Sequence, residues 1–265
     1  MTSTDFYFLG GRDLEMRAIA ELLAVHAPGR YADHGLAWGA RASDYAQPLR
    51  TCLAAGQQPV LVELAWDLPD IPVDRVVLID HHGAAAGISA PTSLEQVFAR
   101  LQLPASAWTR RLALIAANDR GHVHAMQALG ASLSEMQAIR AADRAAQGIE
   151  ESHERAAELA VAARERLCSG VLVVRLPHGR AATVTDRLDA TLGGPGYENL
   201  LVISPQELNF YGNGQTIARL DATFPGGWYG GELPQRGYWG HAHLAKVGAV
   251  LDLLAQNETV NPQQR

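Results

Sequence analysis

Short apolar runs alternate with helix-like patterns along the first half of the chain. The apolar runs predict strands over 5–11, 58–66 and 75–83, with a weaker strand over 34–40. After the first of them, residues 13–27 repeat apolar positions at helical spacing. Strands that alternate with helices in this way are typical of a parallel sheet with helices on both faces.

Helical patterns fill the middle of the chain. They predict helices over 92–103 and 109–121, followed by one long helix from about Ser132 to Leu167 that is rich in Ala, Glu and Arg. Strong helix formers without interruption over such a length suit a connector between domains.

The mixed pattern starts again after this connector. Apolar runs predict strands and helical spacing predicts helices, with a glycine-rich loop before the last helix. The strands are expected over 170–177, 199–206 and 215–224, the helices over 183–193 and 241–256, and the loop over 225–240.

We therefore predict an α/β fold with two domains. A parallel-sheet domain with helices on both faces occupies residues 1–131, and a smaller α/β domain occupies 170–258. The long helix joins them within a connector over 132–169.

Composition favours a folded, cytoplasmic protein. Hydrophobic residues make up 48% of the 265 residues and charged residues 19%, a balance that supports a buried core. No run approaches the roughly 20 apolar residues of a membrane span, and the first residues lack the basic start of an export signal. Cys52 and Cys168 have no spacing typical of zinc or redox sites, so we expect reduced thiols.

The net charge of −6 narrows the class of partner. Proteins that wrap long nucleic acids depend on Lys and Arg to release counterions from phosphates. We therefore expect a small phosphorylated substrate or a short oligonucleotide, with neither long nucleic acid nor membrane as a partner. The sequence leaves a homodimer open.

Asp80, His81 and His82 end the predicted strand over 75–83. Ligands of open parallel sheets bind at the carboxyl ends of the strands, and a carboxylate beside two imidazoles suits Mn²⁺ or a similar cation. The alternative is a polar strand end that simply faces water, since short motifs recur by chance.

Further acidic residues follow other apolar runs. They are Asp13 and Glu15 around Leu14, Glu63 with Asp67 as an alternative, and Asp119 in the predicted helix over 109–121. With the Asp-His-His triplet between them, their order resembles that of the DHH phosphoesterase superfamily, which includes RecJ-like exonucleases, oligoribonucleases, cyclic-dinucleotide phosphodiesterases and family II inorganic pyrophosphatases. The resemblance extends from about residue 5 to residue 256.

This resemblance implies a metal centre with one or two Mn²⁺ or Mg²⁺ ions. His81 would ligate the metal, and His82 would contact the substrate phosphate. The ligands that it implies are Asp13, Glu15, Glu63, Asp80, His81 and Asp119, with Glu15, Glu63, His81 and Asp119 around one ion and Asp13 with Glu63 at a second.

The chain departs from the family pattern at Leu9, where the family usually has a histidine. Leucine cannot ligate a metal, so either another residue replaces the histidine or the second ion is weak or absent. Glu15 and Glu63 also stand where the family has aspartate, which lengthens each ligand by one methylene. The replacement candidates, which are unranked, are His26, His34 and His122.

Arg120 follows the last motif and could clamp a phosphate through its planar guanidinium. We include it with Asp80 and His82 among the candidate catalytic residues, although an arginine beside an aspartate is more often a surface ion pair. Asp143 and Arg144, at helical spacing, are expected on a solvated helix face.

The glycine-rich stretch near the C-terminus resembles the Gly-Gly-Gly-His-like loop in the second domain of DHH enzymes. In such a loop, backbone N–H groups and a helix N-terminus hold an anion. Its aromatic residues, Trp228, Tyr229, Tyr238 and Trp239, either stack on a nucleobase or pack on the core as a lid. The candidate substrate-binding residues are Gly226, Gly227, Arg236, Gly240, His241 and His243.

These features predict a metal-dependent hydrolase that cleaves a phosphodiester or phosphoanhydride bond in a small nucleotide or short oligonucleotide. The main alternative is a binding protein that keeps the fold without the chemistry, and Leu9 is its support. An inorganic pyrophosphatase would share the metal site but leaves the aromatic residues of the loop without a role.

Overall fold

A computed structural model of the chain describes residues 4–82, 90–242 and 246–256. The chain forms two compact units, Met1–Gly148 and Ile149–Arg265. Among the helices in the described ranges, none combines the length and the apolar character that crossing a bilayer would need.

The first unit is built on a parallel sheet of four short strands. They are β1 (Asp5–Leu9), β2 (Tyr31–Ala32), β3 (Gln58–Val62) and β4 (Val77–Ile79). Their order in the sheet is β2-β1-β3-β4, and every neighbouring pair is parallel. The carboxyl ends of β1, β3 and β4 therefore lie along the same edge.

Helices cover both faces of this sheet. Phe8 and Leu61 pack against Tyr45 and Leu49 on one face, and Val62 is fully buried on the other. Burial on both faces is what a parallel sheet requires. The helices are α1 (Leu14–His26), α2 (Ala46–Ala54), α3 (Ser93–Arg100), α4 (Arg110–Ala128) and α5 (Leu133–Ala146).

The strong strand predictions in this unit are confirmed, with shorter bounds. The weaker strand over 34–40 is wrong, because β2 lies earlier and Leu36 makes only an isolated bridge to Gly11. The helix α2 was not predicted. Only Leu49 and Cys52 are buried in it, so its apolar stripe is too short to show helical periodicity.

The predicted long helix is two helices. The first, α5, ends at Ala146, and α6 (Glu151–Ala162) begins after a break. Gly148 lies in that break with a φ of 77°, the left-handed conformation that commonly ends helices. Along the sequence, the boundary between the two compact units falls directly after this glycine, within the stretch predicted as a connector.

The second unit contains a six-stranded mixed sheet. Its strands are β5 (Glu165–Arg166), β6 (Leu172–Arg175), β7 (Leu200–Ile203), β8 (Leu208–Asn213), β9 (Trp228–Glu232) and β10 (Arg236–His241). Their order is β5-β6-β7-β8-β10-β9, and β6 and β7 form its parallel pair. The remaining helices are α7 (Ala182–Leu188), α8 (Gly214–Thr223) and α9 (Val247–Ala255).

Two predictions in this unit are wrong. Residues predicted as a strand over 215–224 form α8, because Asn213 caps that helix by accepting the N–H groups of Gln215 and Thr216. The predicted glycine-rich loop is the hairpin of β9 and β10. At Gly240 a Cβ would lie 2.3 Å from the Trp228 ring, so this glycine lets the hairpin close.

The predicted fold class is confirmed. The first unit is a parallel sheet with helices on both faces, and the second is an α/β unit with a mixed sheet.

Candidate metal centre

Four side chains converge at the carboxyl edge of the first sheet. The imidazole Nε2 of His81 lies 2.5 Å from Asp119 Oδ2, 3.4 Å from Glu63 Oε1 and 3.5 Å from Glu15 Oε2. His81 is 7% exposed, and Glu15 is 2% exposed. Three carboxylates therefore share one buried imidazole nitrogen.

These four atoms lack ordinary partners. His81 Nε2, Glu15 Oε2, Glu63 Oε1 and Asp119 Oδ2 are all buried, and none makes a hydrogen bond of acceptable geometry. Buried polar atoms nearly always have a hydrogen-bond partner. Several buried oxygen and nitrogen atoms that lack one and face the same point therefore fit a cation that binds all of them. Carboxylate oxygens with an imidazole nitrogen suit Mn²⁺ or a similar divalent cation. The residues present therefore fit a metal ion.

Glu15 is held by the N-terminus of α3. Its Oε1 accepts the N–H of Leu94 at 3.0 Å, while its Oε2 faces His81. A helix N-terminus stabilises a carboxylate because its first N–H groups are unpaired and its dipole is positive there. One oxygen is thus used for positioning and the other is left for a cation.

Glu63 sits in a strained backbone conformation directly after β3. Its φ is 52°, which is uncommon for a residue with a side chain. Gly10 makes room for this turn, since a Cβ there would lie 2.4 Å from the Glu63 carbonyl oxygen. Strain of this kind clusters at functional sites, and here it occurs at a carboxylate of the centre.

Asp119 lies just before a kink in α4. The helix is interrupted at Gly121 and at His122, whose φ is 53°. The kink separates the part of the helix that carries Asp119 from the part that follows.

Burial and mutual repulsion shift the pKa values of these groups. Burial, with repulsion from Asp119 and Glu63, raises the pKa of Asp13 to about 8. Burial also raises the pKa of Glu15 to about 8. Burial opposes ionisation of Glu63 as well, but His81 and His82 hold the pKa of Glu63 below its usual range.

The pKa of His81 is also raised, but by a different cause. Burial alone would lower the pKa of this imidazole, but the carboxylates of Asp119, Glu15 and Glu63 raise it to about 12. In the absence of a metal ion, a proton on His81 therefore supplies a positive charge among the carboxylates.

Two further predicted residues form the rim of the centre. Asp13 is the N-cap of α1, where its Oδ1 accepts the N–H of Met16 at 2.7 Å. His82 stacks on His81 with ring centroids 4.2 Å apart, and its side chain is 43% exposed. The ligand atoms of Glu63, His81, His82 and Asp119 all lie within 4.8 Å of one another. Glu15 is not in this mutually close set and joins the centre through its 3.5 Å approach to His81 Nε2.

Asp80 is not brought into the cluster. Its Oδ1 accepts the backbone N–H of His82 at 2.8 Å and lies 3.2 Å from the His82 Nδ1. The side chain is 47% exposed. Its contacts therefore orient the His82 ring.

Asp67 and Arg120 are engaged elsewhere. The Asp67 carboxylate accepts the N–H and the hydroxyl of Ser43 at 2.9 and 2.7 Å, so of the two alternatives for the second motif Glu63 is the one beside His81. Arg120 pairs with Glu95 on α3. An ion pair was the alternative to a phosphate contact for this arginine.

The replacement candidates for the missing histidine lie outside the cluster found among the described residues. Leu9 is fully buried, and its carbonyl accepts the Tyr45 hydroxyl at 2.7 Å. His34 stacks on Tyr45 at 4.2 Å between ring centroids. His26 is exposed at the end of α1, and His122 lies in the kink of α4.

The predicted substrate-binding residues mostly have structural contacts. Arg236 donates to the carbonyls of Glu198 and Tyr197 at 2.9 and 3.3 Å. His241 is 2% exposed, with its Nε2 3.2 Å from Lys246 Nζ. Gly226 has a left-handed φ of 92°, while Gly227 and Gly240 face each other across the hairpin, and His243 lies outside the described residues.

The four aromatic residues of this stretch divide into two groups. Trp239 is fully buried in the core of the second unit. Trp228, Tyr229 and Tyr238 are 42%, 56% and 43% exposed. Trp239 therefore packs on the core, and the other three remain available for stacking.

Sequence reasoning missed a buried polar network beside the centre. Asp143 was expected on a solvated helix face, and this is wrong, because it is 4% exposed and pairs with Arg140. The signal was present in the sequence, since Met136, Ile139, Arg140 and Asp143 share one helical stripe and all are buried. Apolar residues mark that stripe only as far as Ile139, because its last two buried positions are charged.

Comparison with known proteins gives structural neighbours only, because no protein-family profile matches the chain and no curated protein matches its sequence significantly. The manganese complex of RecJ from Thermus thermophilus is 11% identical with a TM-score of 0.45, over 95% of this chain and 51% of that one. The pGpG-specific phosphodiesterase PggH from Vibrio cholerae is 13% identical with a TM-score of 0.38, over 94% and 97%. A DHH domain from a protein described as a member of a ribosomal-protein family is 15% identical with a TM-score of 0.42, over 91% and 72%.

The chain thus spans about half the length of the Thermus thermophilus RecJ chain. One of these neighbours is itself described as a DHH domain.

Proposed function

We propose that the chain is a DHH-type phosphoesterase that uses Mn²⁺ or Mg²⁺ to hydrolyse a phosphodiester or phosphoanhydride bond in a small nucleotide or short oligonucleotide. The observation that carries this proposal is a set of four buried atoms that could ligate a metal and make no hydrogen bond: the His81 Nε2 and one carboxylate oxygen each from Glu15, Glu63 and Asp119. A site with an excess of carboxylates over cations attracts a divalent ion, and such an ion in turn attracts phosphate.

The proposal places the chain in the same class of chemistry as two of its neighbours, which are described as an exonuclease, RecJ, and as a pGpG-specific phosphodiesterase, PggH. Its support in this chain is the geometry of the site itself.

Glu15, Glu63, His81 and Asp119 would hold the ion. When bound there, a divalent cation polarises a phosphoryl oxygen and lowers the pKa of a water molecule. We assign a single ion to this set, because Leu9 offers no ligand and its carbonyl is occupied by Tyr45. Asp13 stays at the rim as the cap of α1.

His82 has the geometry of a substrate contact. Its Nδ1 faces the Asp80 carboxylate at 3.2 Å, which favours the proton on that nitrogen. When Nε2 also carries a proton, it can donate a hydrogen bond to a phosphoryl oxygen or pass that proton to a leaving group. Asp80 acts through His82 and is a positioning residue in this scheme.

In the second unit, exposed aromatic residues form a surface suited to nucleobase stacking. Trp228 and Tyr238 are both more than two-fifths exposed. Because Trp228 pairs with Gly240 and Tyr238 with Gly230, their side chains share one face of the hairpin. Large exposed aromatic rings suit base stacking, and pyrophosphate has no base.

The test measures bound metal and then turnover on a panel of dinucleotides, short oligonucleotides and pyrophosphate with added Mn²⁺ or Mg²⁺. We expect nucleotide release by the wild-type chain and its loss in His81→Gln and Asp119→Asn. The matched control is Asp67→Asn, an acidic residue outside the cluster, which should retain activity. Bound metal without turnover on any substrate would favour the binding-protein alternative, and turnover of pyrophosphate alone would favour a pyrophosphatase.

A further inference from the structure

A buried ion pair lies behind the metal centre, on α5. Arg140 and Asp143 are 2% and 4% exposed, and Arg140 Nη1 lies 2.7 Å from Asp143 Oδ2. Asn118, itself 5% exposed, joins them. Its Oδ1 accepts from Arg140 at 3.0 Å, and its Nδ2 donates to Asp143 at 3.4 Å.

This network contacts two of the four segments that carry the proposed metal ligands. Asp143 Oδ1 accepts the N–H of Leu14 at 3.2 Å, and Leu14 directly precedes Glu15. Asn118 directly precedes Asp119 in α4. Three helices are therefore tied together at the residues that flank two of the four donors.

The oxygens of Asp143 are occupied by these contacts. Oδ1 serves the N-terminus of α1, and Oδ2 serves Arg140 and Asn118. Asp143 therefore acts on the centre through the backbone of α1 and the side chain of Asn118. Since the first N–H groups of a helix have no partner within the helix, this carboxylate also satisfies a donor that would otherwise be buried and unpaired.

Stability alone gives little reason for such a pair. Taking two charges out of water costs about as much as their attraction returns, and well-packed apolar replacements are often equally stable or more so. The contacts of this pair instead lead to the metal-ligand segments. Groups that orient the ligands of a metal typically affect its affinity about 10–100-fold.

We propose that Asp143, supported by Arg140, is a positioning residue that fixes Glu15 and Asp119 around His81. This inference rests on the proposed metal centre. It adds a residue of α5 that lies outside the matched motifs of the resemblance.

The test compares three variants of the full chain with the wild type. Asp143→Asn removes the carboxylate charge that faces Arg140. Arg140→Met combined with Asp143→Leu replaces the whole pair by apolar side chains, which preserves packing but removes the acceptor for Leu14. Glu135→Gln is the control, because Glu135 belongs to the same helix and pairs with Arg110 on the surface.

Two readouts separate positioning from folding. Thermal unfolding of the metal-free proteins reports stability, and Mn²⁺ titration followed by electron paramagnetic resonance reports affinity. We expect the double variant to fold and to unfold somewhat below the wild-type temperature, because the Leu14 N–H loses its acceptor. It should bind Mn²⁺ about tenfold or more weakly. Glu135→Gln should match the wild type in affinity.

Wild-type affinity in a folded double variant would overturn this inference and leave the proposed function standing. Absence of Mn²⁺ binding by the wild-type chain would overturn both. Weak binding by Asp143→Asn together with normal binding by the double variant would also contradict it, because the loss would then come from the buried charge that Arg140 retains in the single variant.

Discussion

A single imidazole nitrogen, His81 Nε2, is the point that three carboxylates share. Burial raises the pKa values of Asp13 and Glu15, and repulsion between carboxylates this close adds to the effect. The metal-free protein relieves the repulsion by retaining protons on Asp13 and Glu15 and on His81. A cation would displace these protons, since metal ligands must be deprotonated.

The first prediction is that the metal-free protein loses stability as the pH rises from about 6 to about 8. The pKa of Asp13 is raised from 3.8 to about 8 on folding, so the folded state keeps a proton that the unfolded chain has released. The pKa of His81 is raised from 6.5 to about 12, so its contribution is complete below 6.5 and falls above it. Both groups therefore lower the free energy of unfolding as the pH rises through this range.

Added Mn²⁺ should reverse this trend, with the stabilisation by the metal growing over the same pH window. Thermal unfolding with and without Mn²⁺ at several pH values checks both statements. Metal-free stability that rises from about pH 6 to about pH 8 would contradict the assigned protonation states.

Gly10 gives a second prediction at this scale. A Cβ there would lie 2.4 Å from the Glu63 carbonyl oxygen and 2.8 Å from that of Val62. Gly10→Ala should therefore destabilise the fold by about 1–3 kcal/mol, as overpacking does, and should weaken Mn²⁺ binding. Denaturant unfolding and Mn²⁺ titration measure the two effects.

The control is Gly248→Ala in α9, where nothing lies within 4 Å of the added Cβ. Alanine is favoured over glycine within a helix by about 1 kcal/mol, so this variant should be slightly more stable. Unchanged stability in Gly10→Ala would contradict the close approach of β1 and β3.

At the scale of elements, the N-termini of α1 and α3 deliver backbone N–H groups to acidic side chains. Leu14 donates to Asp143 and Leu94 donates to Glu15. The start of α3 is fixed by a capping box in which Thr92 and Glu95 each accept the other's backbone N–H. The position of Glu15 therefore depends on how well α3 begins.

Thr92→Ala should lower stability by about 1 kcal/mol, the usual cost of a lost N-cap, and should also weaken Mn²⁺ binding. The matched control is Ser132→Ala, which removes the same kind of capping box from α5 at a helix start remote in sequence from Glu15. It should show a similar loss of stability with normal Mn²⁺ affinity. Equal metal affinity in both variants would contradict a role for α3 in the centre.

Elements with a clear pattern of apolar residues were predicted correctly, and elements without one were not. Runs such as Gln58–Val62, in which nearly every residue is buried, appeared clearly in the sequence. The stretch Gly214–Thr223 was misread as a strand because its apolar residues are few, and its start depends on the Asn213 cap. The hairpin Trp228–His241 was misread as a loop because its glycines, which mark turns elsewhere, allow side chains of the facing strand to approach.

For the whole molecule, the four proposed metal ligands belong to one compact unit. Glu15, Glu63, His81 and Asp119 all lie within Met1–Gly148, as does the ion pair of Arg140 and Asp143. The sequence motifs named these four residues, whose side chains lie close together in the structure. They could not place Asp143, since that residue acts through contacts between helices distant in sequence.

We predict that a fragment of residues 1–148 folds and binds Mn²⁺ with the affinity of the full chain. The cut falls beside Gly148, between two helices and at the boundary of the two compact units. Circular dichroism and Mn²⁺ titration provide the test. A folded fragment without Mn²⁺ affinity would show that residues after 148 supply part of the site.

The central claim is that Glu15, Glu63, His81 and Asp119 bind one divalent cation together. The most direct measurement is the anomalous difference density of a crystal of the full chain soaked in MnCl₂. We predict one strong peak in direct coordination with these four side chains. A peak elsewhere, or none at a Mn²⁺ concentration that supports turnover, would contradict it.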